Sequence, residues 1–125
     1  MIRCLIVDDS VSFLEAATRL LEREGLEVAG VAHTIEEALQ QARDLKPNVV
    51  LVDVSLGPES GFDLARRLAE TNTRADSRAT VILISTHARS DFAYLIDETP
   101  AAGFVPKSEL SAAAIRQYVS EPQGT

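Results

Sequence analysis

The sequence predicts a three-layer α/β sandwich around a five-stranded parallel sheet. Three observations carry that reading. Short apolar runs rich in Val and Ile recur five times, at residues 4–7, 28–32, 49–52, 81–84 and 104–105. They mostly lack polar alternation, as strands buried on both faces do. A helical pattern follows each run, and parallel strands need crossover connections of that kind. A chain of 125 residues makes one domain and can bury a core without staples.

The elements follow in order. After the run CLIV, Leu14, Ala17, Thr18 and Leu21 recur at i, i+3, i+4 and i+7. Ser12 and Glu15 stand at capping-box spacing, and Gly25 supplies a stop. After VAGVA, Ile35, Ala38, Leu39 and Ala42 repeat the spacing, Thr34 and Glu37 match a capping box, and Pro47 closes the segment. After VVLV comes a third stripe of Gly61, Leu64, Ala65 and Leu68. After VILI, Phe92, Leu95 and Ile96 predict a fourth helix ended by Pro100. After Phe104 and Val105, the residues Leu110, Ala113, Ala114 and Tyr118 predict a fifth.

Composition bounds the function. The apolar fraction is 46% and the charged fraction 25%, values of a globular protein rather than a disordered one. Twelve Lys and Arg against 19 Asp and Glu leave a formal charge of −7. That argues against non-specific binding to nucleic acid or anionic membrane, which needs a basic face. The single Cys4 excludes an internal disulfide and reads as a small core residue. Asp8 and Asp9 come too early for a signal peptide's apolar region. No apolar run approaches the ~18–20 residues of a membrane helix. The expectation is a soluble, cytoplasmic domain over residues 1–120 with a frayed tail at 121–125.

In open parallel sheets, sites form beyond the carboxyl ends of the strands. The residues just past the apolar runs therefore matter most. Asp8 and Asp9 follow the first run, Asp53 the third, Ser85 and Thr86 the fourth, and Lys107 follows the fifth beyond Pro106. His33 and Thr34 follow the second. Three carboxylates brought to one edge repel and raise each other's pKa. A hard divalent cation with oxygen ligands resolves this, and Mg²⁺ suits one or two carboxylates plus phosphate oxygens. A carboxylate so placed can be the nucleophile towards a phosphoryl group. Lys107 offers a point charge and Ser85 a hydrogen-bond donor to that group. His33 and His87 are isolated from each other and make a poor case for a metal site. Phe92, Tyr94 and Leu95 read first as core of the fourth helix, with Tyr94 a candidate for an exposed binding face.

The string Leu5-Ile6-Val7-Asp8-Asp9-Ser10, Asp53 within Val50-Leu51-Val52-Asp53-Val54-Ser55-Leu56, Ser85, and Gly103-Phe104-Val105-Pro106-Lys107 together resemble the receiver domain of bacterial two-component response regulators. The resemblance spans essentially the whole chain. It implies a flavodoxin-like sandwich with strand order 2-1-3-4-5 and five helices. It implies Asp53 as phosphoacceptor, and Asp8, Asp9, Asp53 and the backbone carbonyl of Ser55 as Mg²⁺ ligands. Lys107 and Ser85 would bind the phosphoryl group, Ser85 and Phe104 would act as the switch pair, and Ser55, Thr86 and His87 would tune the phosphate's lifetime. The implied donor is a histidine kinase or phosphotransfer protein. Phosphorylation would pull Ser85 inward, let Phe104 turn inward, and remodel the face of the fourth helix, fifth strand and fifth helix. That face would bind a downstream effector protein or a second copy. Neither nucleic acid nor membrane would be bound directly.

Three departures from the family pattern stand out. Gly57, followed by Pro58, occupies a position where many members have Pro; Ser108 follows the lysine where many have Pro; and Thr86 stands where a smaller residue is common. Other readings remain. A phosphohydrolase of the aspartyl-phosphate type would need a second Asp where Ser55 stands, as general acid. A phosphorylation-independent binding module would usually lack an acid or the lysine. A receiver excised from a DNA-binding regulator has the same sequence pattern. A flavin domain would need a phosphate-cradling loop where Asp8 and Asp9 stand.

Overall fold

The computed structural model describes residues 2–72, 79–87 and 92–119. The expected tail at 121–125 lies outside the described residues. Five parallel strands form one sheet: β1 (Arg3–Val7), β2 (Glu27–Ala32), β3 (Val49–Asp53), β4 (Thr80–Ser85) and β5 (Gly103–Pro106). Their order is β2-β1-β3-β4-β5, as the resemblance implied. The helices are α1 (Val11–Arg23), α2 (Ile35–Leu45), α3 (Gly61–Asn72), α4 (Ala93–Asp97) and α5 (Ala112–Arg116). A small antiparallel hairpin, Ser55–Leu56 with Glu59–Ser60, sits between β3 and α3. The hydrophobic pattern gave no sign of it, because two-residue strands carry no periodicity.

Side chains alternate across each strand, and so each strand feeds two cores. Leu5, Val7, Val50, Val52, Val81, Leu83 and Phe104 join one cluster with residues of α2, α3 and α4. Cys4, Ile6, Val49, Leu51, Ile82, Ile84 and Val105 join the other with residues of α1 and α5. Full burial of such an aliphatic side chain contributes about 1.5–3 kcal/mol. The central strands β1, β3 and β4 therefore form the rigid floor on which the polar residues past their ends are mounted. Cys4 is fully buried, and burial pushes its thiol pKa up to about 12. That suits a small, inert core residue. Among the described residues no helix is long and apolar enough to cross a membrane.

The helix starts differ from expectation in two places. Ser10, not Ser12, caps α1, accepting from the Phe13 N–H at 3.3 Å. The cause is Asp8, whose Oδ1 accepts the Ser10 N–H at 2.8 Å and holds Ser10 extended just before the helix. Ser12 falls inside the first turn. The fifth helix is shorter than its apolar stripe predicted. A 3₁₀ turn occupies Lys107–Glu109, and Ser111 then caps α5 through the Ala114 N–H at 3.0 Å. Leu110 is buried ahead of the helix, Ala112 and Ile115 form its buried face, and Tyr118 lies beyond its end. At α2 the expected cap is present: Thr34 Oγ1 accepts the Glu37 N–H at 3.1 Å. The return bond from Glu37 goes to the His33 N–H, one residue before the cap.

Candidate functional site

Strand register brings the polar residues together. Val7 pairs with Val52, so Asp8 and Asp53 stand at the next positions of adjacent strands. Ser85 pairs with Pro106, so Lys107 emerges beside the end of β4. The Lys107 ammonium lies 2.5 Å from Asp8 Oδ2 and 3.1 Å from Asp53 Oδ2. Asp53 Oδ1 accepts the Ser55 N–H at 3.1 Å. Asp8 and Asp53 are buried, and Asp9 is exposed at the rim.

The electrostatics follow from this packing. Burial raises the Asp53 pKa above the ordinary carboxylate value, and the neighbouring Asp8 charge adds to the rise. The Ser55 N–H and Lys107 offset only part of it. For Lys107, burial alone would lower the pKa. Its contacts with Asp8 and Asp53 outweigh that and raise it, so the ammonium stays charged. Among the described residues, one ammonium faces three carboxylates at this edge.

That donor set fits a hard cation. Carboxylate oxygens of Asp8, Asp9 and Asp53 all lie within 4.8 Å of one another. Asp8 Oδ2 is fully buried, and among the described residues its partner is the Lys107 ammonium, which it shares with Asp53. A single ammonium shared by two buried carboxylates leaves their charge incompletely compensated, and a small oxygen-seeking ion such as Mg²⁺ would supply the balance.

Asp9 and Asp53 open onto a cleft of about 520 Å³ whose walls include Ser85, Thr86, His87 and Phe92. Ser85 is buried, and its Oγ accepts the His87 N–H at 3.0 Å. The hydroxyl proton of Ser85 therefore remains available for a ligand. Thr86 and His87 are exposed on the rim, with Thr86 Oγ1 3.4 Å from His87 Nδ1. The His87 ring stands edge-on to Phe92 at 5.7 Å. Phe104 does not line the cleft. It is buried in the core cluster shared with Leu83 and Ile96, and so already points inward in this structure. His33 lies apart, beside Glu37 at 3.3 Å on the exposed start of α2.

Gly61 has a specific reason to be glycine. A Cβ there would lie 2.8 Å from both the Asp53 carbonyl carbon and the Val54 Cα. The first turn of α3 thus rests directly on the backbone that carries Asp53. Gly57, at the hairpin tip, has φ +63, a conformation costly for other residues. Sequence reasoning missed Phe13, whose ring centroid lies 4.2 Å from the Lys107 ammonium. The only hint was an aromatic one position off the buried stripe of α1.

Comparison with known proteins agrees with this geometry. The family model for the response regulator receiver domain matches residues 4–120. The chain is 35% identical over 121 residues to the response regulator GacA of Pseudomonas aeruginosa, covering 94% of this chain and 55% of that protein. It is similar to the receiver domain of the putative response regulator NarL from Mycobacterium tuberculosis, at TM-score 0.79 and 26% identity, covering 94% of this chain and 95% of that one. It is also similar to a LuxR-family two-component response regulator from Aurantimonas, at TM-score 0.79 and 28% identity, covering 93% and 81%. The chain spans about half the length of the GacA proteins it matches.

Proposed function

The chain belongs to the response regulator receiver domain family of two-component signalling, and from that premise we propose that it is a switch operated by phosphorylation of Asp53. The observation that carries the reading is the grouping at one sheet edge of Asp53, two further carboxylates within 4.8 Å and the Lys107 ammonium at 3.1 Å. Asp53 Oδ attacks the donor's phosphorus; the new P–O bond forms as the bond to the leaving group breaks, and the leaving group departs with the electron pair. Asp8, Asp9, Asp53 and the Ser55 carbonyl would hold Mg²⁺, which when bound balances charge on the phosphoryl oxygens. Lys107, already on Asp53 Oδ2, passes its pairing to a phosphoryl oxygen. Ser85 donates its free hydroxyl proton to another.

The donor is a histidine kinase or phosphotransfer protein, and the setting is the cytoplasm. Output follows from placement. Ser85 ends β4 and Lys107 follows β5, and these strands lead into α4 and α5. A phosphoryl group adds nearly two charges and three acceptors at one point, and drawing both residues towards it biases the α4-β5-α5 face between two arrangements. Tyr94 (74% exposed) and Leu95 (44%) on α4 and Tyr118 (37%) just beyond α5 give that face apolar contacts for an effector protein or a second copy. A second reading rests on the half-length coverage of the GacA proteins: the same switch governs an attached output domain, as in a transcriptional regulator.

Intact mass after incubation with Mg²⁺ and acetyl phosphate tests the switch. One phosphoryl adduct that requires Mg²⁺ and is absent in Asp53→Asn is expected. An adduct that persists in Asp53→Asn overturns the assignment of the acceptor. No adduct together with no binding of beryllofluoride overturns the switch reading.

A further inference from the structure

The hairpin that carries Ser55 is held at its base, and its far strand and tip have little restraint of their own. It pairs Ser55 with Ser60 and Leu56 with Glu59, its base closed by the Gly61 N–H on the Val54 carbonyl at 3.0 Å and the Ser55 N–H on Asp53 Oδ1 at 3.1 Å, and such small hairpins are marginal alone. Its tip is Gly57 at φ +63 followed by Pro58, where many family members place a stiffening proline one residue earlier. Leu56 anchors one side in the core. The other side is held by a bond from outside the loop. Glu59 Oε1 accepts the Ile35 N–H at 3.0 Å, across 24 residues of sequence.

That N–H belongs to the first residue of α2, one of the amides a helix leaves without an internal partner. The helix's own cap does not compete for it: Thr34 Oγ1 serves Glu37, and the Glu37 carboxylate serves His33. A carboxylate at a helix start is also favoured by the helix dipole. The bond is therefore a strut from the rigid α2 to the strand opposite Ser55.

We infer that Glu59 is a positioning residue for metal binding: by tying the hairpin to α2 it holds the Ser55 carbonyl in place for the cation. The inference rests on the reading that Asp8, Asp9, Asp53 and Ser55 hold Mg²⁺. Loss of the strut makes the cation order the hairpin itself, and affinity falls by the corresponding entropy. The net worth of one such bond corresponds to about a 3- to 10-fold loss in affinity.

The test is calorimetric titration of the unphosphorylated protein with Mg²⁺, with amide exchange of the hairpin measured in metal-free buffer. Glu59→Ala is expected to weaken Mg²⁺ binding about 3- to 10-fold and to speed exchange at the hairpin. Glu59→Gln, which keeps the acceptor, is expected to stay within about twofold of wild type. Thr34→Ala is the control, because it loosens the start of α2 and leaves the strut's acceptor in place. An unchanged Mg²⁺ affinity in Glu59→Ala overturns the inference while leaving the metal site standing. Equal losses in Glu59→Gln and Glu59→Ala overturn it in favour of a charge effect, and an equal loss in Thr34→Ala assigns the effect to α2 alone. Absence of Mg²⁺ binding in the wild type removes the site itself, and the inference with it.

Discussion

Lys107→Met removes the ammonium that faces Asp8 and Asp53 while keeping most of the side chain's apolar stem. The two contacts, at 2.5 and 3.1 Å, correspond to about 5–7 kcal/mol of gross attraction each at an effective dielectric of ~20. Desolvation of the three groups offsets most of that. The net cost of removing one partner from a buried pair is about 3–5 kcal/mol, because the remaining charge stays buried. The lysine side chain is 12% exposed at the cleft mouth while Asp8 is fully buried, so the lower end, about 3 kcal/mol, is expected. Urea unfolding in EDTA at neutral pH measures it, with an unchanged m-value as the sign of an intact fold. Saturating Mg²⁺ should shrink the deficit, since the variant's more negative site binds the cation about 10-fold tighter, worth about 1.4 kcal/mol. A deficit under about 1 kcal/mol in EDTA, or one that Mg²⁺ leaves unchanged, would refute the argument that Lys107 is the counter-charge of a buried acidic cluster.

Three further outcomes are expected. Gly61→Ala pushes a methyl into the backbone of Asp53 and Val54; a loss of about 3 kcal/mol in urea unfolding is expected, and a loss under 1 kcal/mol would show that α3 is free to shift. Asp53 has a raised pKa, so the folded state binds its proton more tightly than the unfolded chain does. Its stabilising contribution is full below the ordinary value of 3.8 and is lost as pH rises through the raised value. Asp53→Asn should therefore melt higher than wild type in metal-free buffer at pH 7.5, with the gap closing as pH falls towards 4; a constant gap contradicts this. Phe13→Leu removes the ring under Lys107, an interaction of about 0.5–2 kcal/mol; beryllofluoride affinity should fall several-fold and be kept in Phe13→Tyr.

Much of the fold was legible because burial on both faces leaves a strong mark. Runs such as VVLV at 49–52 and VILI at 81–84 became central strands without a shift of face, since every position along them meets a helix layer. Thr34 was legible as a cap because its bond is local, to Glu37 three residues on. The start of α1 departs from the sequence pattern because the deciding partner of Ser10 is the site residue Asp8, while a capping box at Ser12 fits the same pattern. The fifth helix is shorter than its apolar stripe because Leu110 and Tyr118 are apolar for other reasons. Leu110 fills the core ahead of the helix, and Tyr118 packs over Gly103, where even a Cβ would strike its ring.

The acids, hydroxyl and lysine past the strand ends were identifiable from residue order alone, because a parallel sheet delivers the residues after its strands to one edge. The distances among them were not. That Lys107 bridges Asp8 and Asp53, that Phe13 lies under its ammonium, that Gly61 rests on the Asp53 backbone and that Glu59 reaches the start of α2 all depend on strand register and on contacts between segments far apart in the chain. Local periodicity records which face of an element is buried. It carries no information on which distant polar atom will meet it, and only the packed sheet and its helices decide that.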